Sequence, residues 1–268
     1  MELQRRVDEL KRKGLGLVAV SYDSPATLAD FARRRGITFT MLSDPGSKVI
    51  REYGLLNTTV PAGSPAYGIP FPGTFILDTH ERVVSRFFEQ EYEDRNTVSS
   101  ILVRLGEEKG TGTKISSAHL DVVTWASDAL AAPGTRLSLV LDVTPKAKAH
   151  VYAPGAKGYI PIALQLEPQE GVQVHAPEFP KPGDYYFQPL DEHVPVYQTP
   201  FRIVQDVTFD ASPQGEAFLN ARTALTITGR LAYQACDDKV CFPPTSVPVS
   251  WTIKLRKLDR ERVKHPQP

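Results

Sequence analysis

Cysteine is almost missing from these 268 residues: there are two, Cys236 and Cys241, and none before them. A framework of several disulfides is excluded, and so is a thiol site in the first two thirds of the chain. Net charge is missing as well, since 31 basic residues balance 31 acidic ones, and this leaves no basic field for nucleic acid or an anionic membrane. No apolar run approaches the roughly 18 residues of a spanning helix, so membrane insertion of this chain is not expected. No secretory leader is visible either, because Met1 runs straight into the charged amphipathic segment Glu2 to Lys13. Beyond about Thr113, helical periodicity is nearly absent too.

The two cysteines stand in Tyr233-Gln234-Ala235-Cys236-Asp237-Asp238-Lys239-Val240-Cys241-Phe242-Pro243-Pro244. Before them Leu225, Ile227 and Gly229 alternate with Ala224, Thr226 and Thr228; after them Val247, Val249, Trp251, Ile253 and Leu255 share one face. This pattern predicts a hairpin whose four-residue loop sets the cysteines opposite one another. Their Cα atoms would lie about 4.5–5.5 Å apart, within reach of a disulfide. A ring this small removes about 2 kcal/mol of unfolded-chain entropy, against about 3 for a fifteen-residue loop. It is a weak staple, and the spacing fits an exchangeable dithiol at least as well as a permanent clip. Asp237 and Asp238 should raise the thiol pKa values and Lys239 should partly offset them, which suits a relay better than an aggressive nucleophile. A zinc site needs two further ligands, and His150, His175 and His193 have no matching local spacing, so no metal or other cofactor is expected.

Tyr-Gln-Ala-Cys followed by Cys-Phe-Pro-Pro, closing a strand-rich stretch, resembles the amino-terminal periplasmic domain of the thiol:disulfide interchange protein DsbD, with a loop one residue shorter than in its best-known members. The resemblance covers roughly Thr113 to Leu255. Within it, Leu120, Val122 and Thr124, then Leu137, Leu139, Leu141 and Val143, Ile160 to Leu166, Val172 and Val174, and Phe201, Ile203 and Val207 alternate at strand period. They predict a two-sheet antiparallel β-sandwich, immunoglobulin-like in the resembled family. The family also implies that Cys236 and Cys241 are the catalytic pair, that Phe242 and Pro243 flank it, and that a loop at Leu190 to Tyr197 covers it. In that loop Asp191 and Glu192 match an acidic pair, and His193 or Val194 stands at an aromatic cap position. A plain solvated loop is the alternative for Asp191, Glu192 and His193. Tyr152 and Tyr233 either flank the dithiol or fill the core, and His119 and His265 have no visible partner.

From Met1 to about Gly106 helices and strands alternate. A stripe of Leu3, Val7 and Leu10 ends at Gly14; Leu15 to Ser21 reads as a strand; Ser24-Pro25 caps a helix stopped by Gly36; Ile37 to Leu42 is a second strand. A helix through Val49, Ile50 and Tyr53 follows, then a Pro/Gly-rich loop, a hairpin of Phe75 to Leu77 with Val83 to Phe88, and a helix from about Tyr92 to Leu105. This predicts an α/β layer with helices on both faces of a sheet. Val18-Ala19-Val20-Ser21, Gly36-Ile37-Thr38-Phe39, Leu42-Ser43-Asp44-Pro45, Tyr53-Gly54 and Phe71-Pro72-Gly73-Thr74-Phe75-Ile76-Leu77-Asp78 resemble the redoxin family, the thioredoxin-fold group that includes peroxiredoxins. The family implies a cis peptide at Pro72; a trans proline opening a strand is the plainer reading.

That family carries its reactive cysteine just before the helix that here begins at Met1. The first domain is therefore expected to be amino-terminally incomplete and to run no peroxidase or disulfide chemistry by itself. The strand corresponding to Leu15 to Ser21 and the one corresponding to Phe75 to Leu77 would then either stand about 9–10 Å apart or collapse together.

The expected organisation is a truncated thioredoxin-like α/β domain at 1–106, a glycine-rich linker at 107–113, a β-sandwich at 114–258 and a charged tail at 259–268. The expected function is thiol:disulfide exchange through Cys236 and Cys241 with a thioredoxin-like or membrane-bound exchange partner, in the periplasm or another extracytoplasmic compartment. The alternatives are a partner-binding sandwich with a permanent disulfide, or the remnant of an antioxidant peroxidase.

Overall fold

The computed structural model describes residues 2–64, 67–88, 95–106, 108–188 and 191–258. The chain divides into two units, Met1–Ile101 and Leu102–Pro268.

The first unit holds α1 (Glu2–Arg5), α2 (Val7–Arg12), β1 (Val18–Ser21), α3 (Pro25–Arg35), β2 (Thr40–Ser43), α4 (Lys48–Glu52), β3 (Gly73–Leu77), β4 (Val83–Phe88) and β5 (Arg95–Asn96); α5 (Val98–Arg104) runs on into the second. Local chemistry sets these boundaries. The Ser24 hydroxyl accepts a hydrogen bond from the Thr27 backbone N–H, Pro25 occupies the first turn of α3, and Gly36 ends it in the left-handed region at φ 61°. The Asp44 carboxylate accepts from the backbone N–H groups of Ile50 (2.9 Å) and Val49 (3.2 Å), and those donors hold it below the usual carboxylate range.

β1 pairs with β2 in parallel and β3 with β4 antiparallel, but among the described residues the two ribbons do not join. The expected single sheet is thus two separate pairs, and Val18, Val20, Leu42, Leu77, Val83 and Val84 are exposed along them. The cis peptide expected at Pro72 is not found: no described peptide bond is cis. Trans is favoured at X-Pro by about 0.5–1 kcal/mol, and Pro72 simply precedes the first paired residue of β3, where a missing N–H costs no ladder bond. Of the helix expected from about Tyr92 to Leu105, residues 92–94 lie outside the described residues, Arg95–Asn96 form strand β5 instead, and α5 occupies the later part.

The second unit is built from β6 (Thr113–Ser116), β7 (Leu120–Ala126), β8 (Leu130–Ala131), β9 (Thr135–Pro145), β10 (His150–Tyr152), β11 (Ala163–Leu166), β12 (Val172–Glu178), β13 (Gly183–Phe187), β14 (Glu192–Tyr197), β15 (Phe201–Phe209), α6 (Pro213–Asn220), β16 (Ala224–Tyr233), β17 (Ala235–Cys236) and β18 (Thr245–Leu255). The sheet β12-β15-β9-β7-β6 forms one layer. The other is split into β11-β16-β18-β8 and β13-β14-β10-β17. Period-2 alternation points Leu137, Leu139, Leu141 and Val143 of β9 and Leu225, Ile227 and Leu231 of β16 into one core. Trp251 crosses that core, and its indole N–H donates to the Trp125 carbonyl at 3.0 Å.

The glycine-rich stretch before β6 lies against this sandwich. A Cβ on Gly110 would collide with the Trp125 ring, and one on Gly112 with the Thr124 carbonyl. Arg202 donates to the Glu108 carbonyl at 2.9 Å while its guanidinium pairs with Asp142. These glycines permit close approach of backbone to indole, beyond any flexibility they lend.

Residues 234–244 bring the chain from one small sheet to the other and back. The long hairpin of β16 and β18 is in register from Ala224↔Lys254 to Tyr233↔Thr245. After Gln234 the chain leaves that sheet, and Ala235 and Cys236 pair with Val151 and His150 of β10.

Candidate functional site: a disulfide beside an aromatic cavity

Cys236 and Cys241 form a disulfide across an isolated antiparallel bridge, with Cα atoms 4.0 Å apart. The four residues between them are held by one side chain. Asp237 Oδ1 accepts from the backbone N–H groups of Lys239 and Val240, both at 2.8 Å, and its own N–H donates to the Val240 carbonyl. The N–H donors of Val240 and then Lys239 hold the Asp237 carboxyl below its usual range. The Phe242 N–H donates to the Ala235 carbonyl at 2.8 Å and closes the base of the loop.

The two sulfurs are not equivalent. Cys236 lies at a strand end and is 1% exposed, within a small cluster with Tyr152, Val194 and Val196. Cys241 is exposed. The Tyr152 hydroxyl donates to Cys236 Sγ at 3.1 Å and lies 3.5 Å from Cys241 Sγ. Burial, with Tyr159, Tyr185 and Glu192 nearby, pushes the Tyr152 phenol up to about 12, so it remains a donor at any physiological pH.

A cavity of about 200 Å³ opens beside the bridge, lined by His150, Tyr152, Tyr185, Val194 and the two cysteines among others. Tyr159 returns over Tyr152 from the β10–β11 connection, with ring centroids 4.2 Å apart and planes at 20°, and its hydroxyl donates to Glu192 at 3.0 Å. Burial followed by that bond raises the Tyr159 phenol. Tyr185 packs on His150 at 4.6 Å.

The site residues expected from sequence separate into three groups. Cys236, Cys241 and Tyr152 come together at the cavity. Glu192 reaches its rim through Tyr159, and Phe242 and Pro243 follow Cys241; Phe242 stacks on His119 at 4.1 Å and packs against the main core, and Pro243 is exposed. Tyr233, Asp191 and His193 do not line the cavity. Tyr233 is a core residue of the main sandwich, its hydroxyl bonded to that of Ser117 at 2.8 Å. Asp191 accepts from the Tyr186 hydroxyl at 3.0 Å, and His193 pairs with Asp184 at 2.6 Å; Tyr186↔His193 is a cross-strand pair on the face opposite Tyr185 and Val194. Leu190, the start of the expected covering loop, lies outside the described residues, as does His265. Of His193 and Val194, between which the cap position was left open, Val194 lines the cavity.

Sequence reasoning weighed His150 only as a metal ligand and passed over Tyr159. A signal existed for one of them, because His150 and Tyr152 are two apart on a strand and therefore share a face. Among the described residues no cluster of three metal-ligating side chains occurs, and no helix is long and apolar enough to cross a membrane.

Residues 1–86 match the family described as AhpC/TSA, and residues 122–250 match the one described as thiol:disulfide interchange protein DsbD, N-terminal. The first part is similar to peroxiredoxin Bcp of Escherichia coli, 36% identical over 53 residues, which are 20% of this chain and 34% of that protein. It is also similar to the chloroplastic peroxiredoxin Q of Populus jackii, 29% identical over 96 residues, 35% of this chain and 41% of that protein. The chain spans less than half the length of the curated relatives it matches. A solved structure of the DsbD N-terminal domain of Neisseria meningitidis in its reduced form shares 15% identity at a TM-score of 0.29, covering 44% of this chain and 81% of that one.

Proposed function

We propose that this chain, which joins an AhpC/TSA-type segment to a DsbD-type amino-terminal domain, is a thiol:disulfide oxidoreductase that relays electrons through Cys236 and Cys241. The observation that carries the reading is the asymmetry of the pair: one sulfur exposed beside an open cavity, the other buried under a hydrogen-bond donor. A partner thiolate reaches Cys241 Sγ in line with the sulfur–sulfur bond. That bond breaks, the electron pair leaves on Cys236, and the Tyr152 hydroxyl stabilises the departing sulfur through the bond it already makes. A second partner thiol then attacks the mixed disulfide and leaves Cys236 and Cys241 reduced. The same steps run backwards when the pair reduces a disulfide.

The partner of such a site is itself a dithiol protein, thioredoxin-like or a membrane-bound exchange protein, and an extracytoplasmic compartment such as the periplasm is where a closed disulfide persists. The DsbD-type match supports both assignments. The test is trapping. With Cys236→Ser, the remaining Cys241 should form a stable mixed disulfide with oxidised glutathione or a dithiol protein at least about tenfold faster than Cys236 does in Cys241→Ser. Equal rates, or a faster Cys236, would remove the asymmetry on which the reading stands.

A further inference from the structure

We propose that His150 is the proton-transfer residue of this pair, accepting the proton of the buried Cys236 thiol as that sulfur closes on Cys241. The inference rests on the exchange reading above and adds to it the group that makes a buried sulfur usable.

His150 and Cys236 are directly opposed residues of the antiparallel β10–β17 pair. Such residues point to the same face with Cβ atoms about 4.5–5.5 Å apart, and both side chains line the same cavity. His150 is 3% exposed, and its ring is held edge-on to Tyr152 at 5.5 Å and against Tyr185 at 4.6 Å. The ring therefore has little freedom to turn away.

Resolution of a mixed disulfide is faster with such a group. Cys236 is 1% exposed in the closed bridge, and a thiol kept at that depth while a partner sulfur is bonded to Cys241 has its thiolate disfavoured by burial. The other titratable groups facing His150 and the cavity are poor acceptors. Tyr152 is a donor with its phenol near 12. Asp237 accepts both backbone N–H groups on Oδ1, and those donors hold its carboxyl below the usual range. Lys239 is a cation without a lone pair, and Tyr185 and Tyr159 present phenols, the latter bonded to Glu192. Burial lowers the His150 imidazole from its usual 6.5, only partly opposed by Asp237, which leaves it neutral and able to accept a proton at pH 7.

His150 takes the Cys236 proton, and the Cys236 thiolate attacks Cys241 Sγ. The Cys236–Cys241 bond forms while the bond from Cys241 to the partner sulfur breaks. The electron pair leaves on the partner thiolate, which is protonated by the imidazolium or by water. In the opposite direction the imidazolium returns the proton to Cys236 as it leaves.

The experiment uses the reduced full chain mixed with 5,5′-dithiobis(2-nitrobenzoic acid), following thionitrobenzoate release by stopped flow. The first release reports attack by Cys241 and the second reports resolution by Cys236. In the wild type the second phase should rise with pH to a plateau whose midpoint lies below the ordinary histidine value of about 6.5. In His150→Gln and His150→Tyr it should slow by about 10²-fold at neutral pH and keep rising with pH into the thiol range, while the first phase changes less than about threefold. A wild-type second phase without that plateau overturns the proposal whatever the variants do. So do variants that keep the plateau, or variants that slow both phases equally with unchanged pH dependence, the mark of a packing role. A wild type that gives no second release at all sinks the exchange reading itself and this inference with it.

Discussion

Two side chains of β10, two residues apart, line the cavity beside the dithiol. Tyr152 donates to Cys236 Sγ at 3.1 Å, and a donor of that kind favours a thiolate over a thiol. Hydrogen bonds to charged groups are worth about 1.5–3 kcal/mol, and sulfur is a weak acceptor, so Tyr152→Phe should raise the Cys236 thiol pKa by about one unit. Thiolate absorbance of the reduced protein against pH reads this directly, and an unchanged titration would show that the hydroxyl bond does not survive reduction. Histidine burial has a second effect at this scale. His150 is lowered by burial; His175, bonded to Thr208 at 2.8 Å, is lowered by burial and then by Arg136. The unfolded chain then takes up protons at these sites before the folded chain does, starting near pH 6.5. Their contribution to stability is complete above that pH and falls as pH drops from about 6.5 toward the lowered folded values. The melting temperature of the sandwich should therefore decline between about pH 7 and 5.5, and His175→Gln should flatten part of the decline. A flat wild-type profile over that window would contradict the burial argument.

At the level of strands, Gly229 shows how closely β11 and β16 approach. A Cβ there would lie 2.5 Å from the Gln165 carbonyl oxygen and 2.9 Å from Leu166, so Gly229→Ala should destabilise the sandwich by about 1–3 kcal/mol, read from urea midpoints at constant slope. A neutral result would mean that β11 shifts freely. In the sequence this glycine was only a gap in an alternating pattern. The alternation itself was legible: Val247, Val249, Trp251 and Ile253 are all buried, as the period requires. The same parity, followed two residues further through Leu231, assigns Tyr233 to the core, although its place in the cysteine motif suggested a site residue. Asp191 and His193, for which a plain solvated loop was the alternative, turn away from the cavity, since the motif locates a loop but not the direction of each side chain. What could not be read is the change of sheet at Gln234. It depends on β10 and β17 meeting across more than eighty residues of intervening chain, a pairing that no local pattern encodes. His150 became visible as a neighbour of Cys236 only with that pairing. The trans bond at Pro72 has the same character, because isomer choice depends on surroundings and not on local sequence.

At the scale of the whole chain, the two units differ in how completely their apolar residues are buried. The sandwich has a large main core that includes Trp251, with two smaller buried clusters beside it, whereas Val18, Val20, Leu42 and Leu77 lie exposed on two ribbons of the first unit that do not join among the described residues. Unpaired strand edges carrying apolar side chains favour association over cooperative folding. Residues 1–101 alone should give poorly dispersed amide spectra or aggregate, and residues 108–258 should melt cooperatively. Trimming the latter to 113–258 should lower its stability, because Gly110 and Gly112 cover the Trp125 ring and its neighbouring carbonyl. Dispersed spectra and a sharp melt from 1–101 would contradict this. The proposed exchange role rests on the dithiol, an exposed Cys241 and a buried Cys236 with a sequence separation of five. Its most direct test is to equilibrate the full chain in graded glutathione and dithiothreitol buffers, trap free thiols by alkylation and read the oxidised fraction by mass. Half-reduction at a potential above about −300 mV is the predicted result, and a bridge that stays closed well below that value would mark it as a permanent clip and contradict the account.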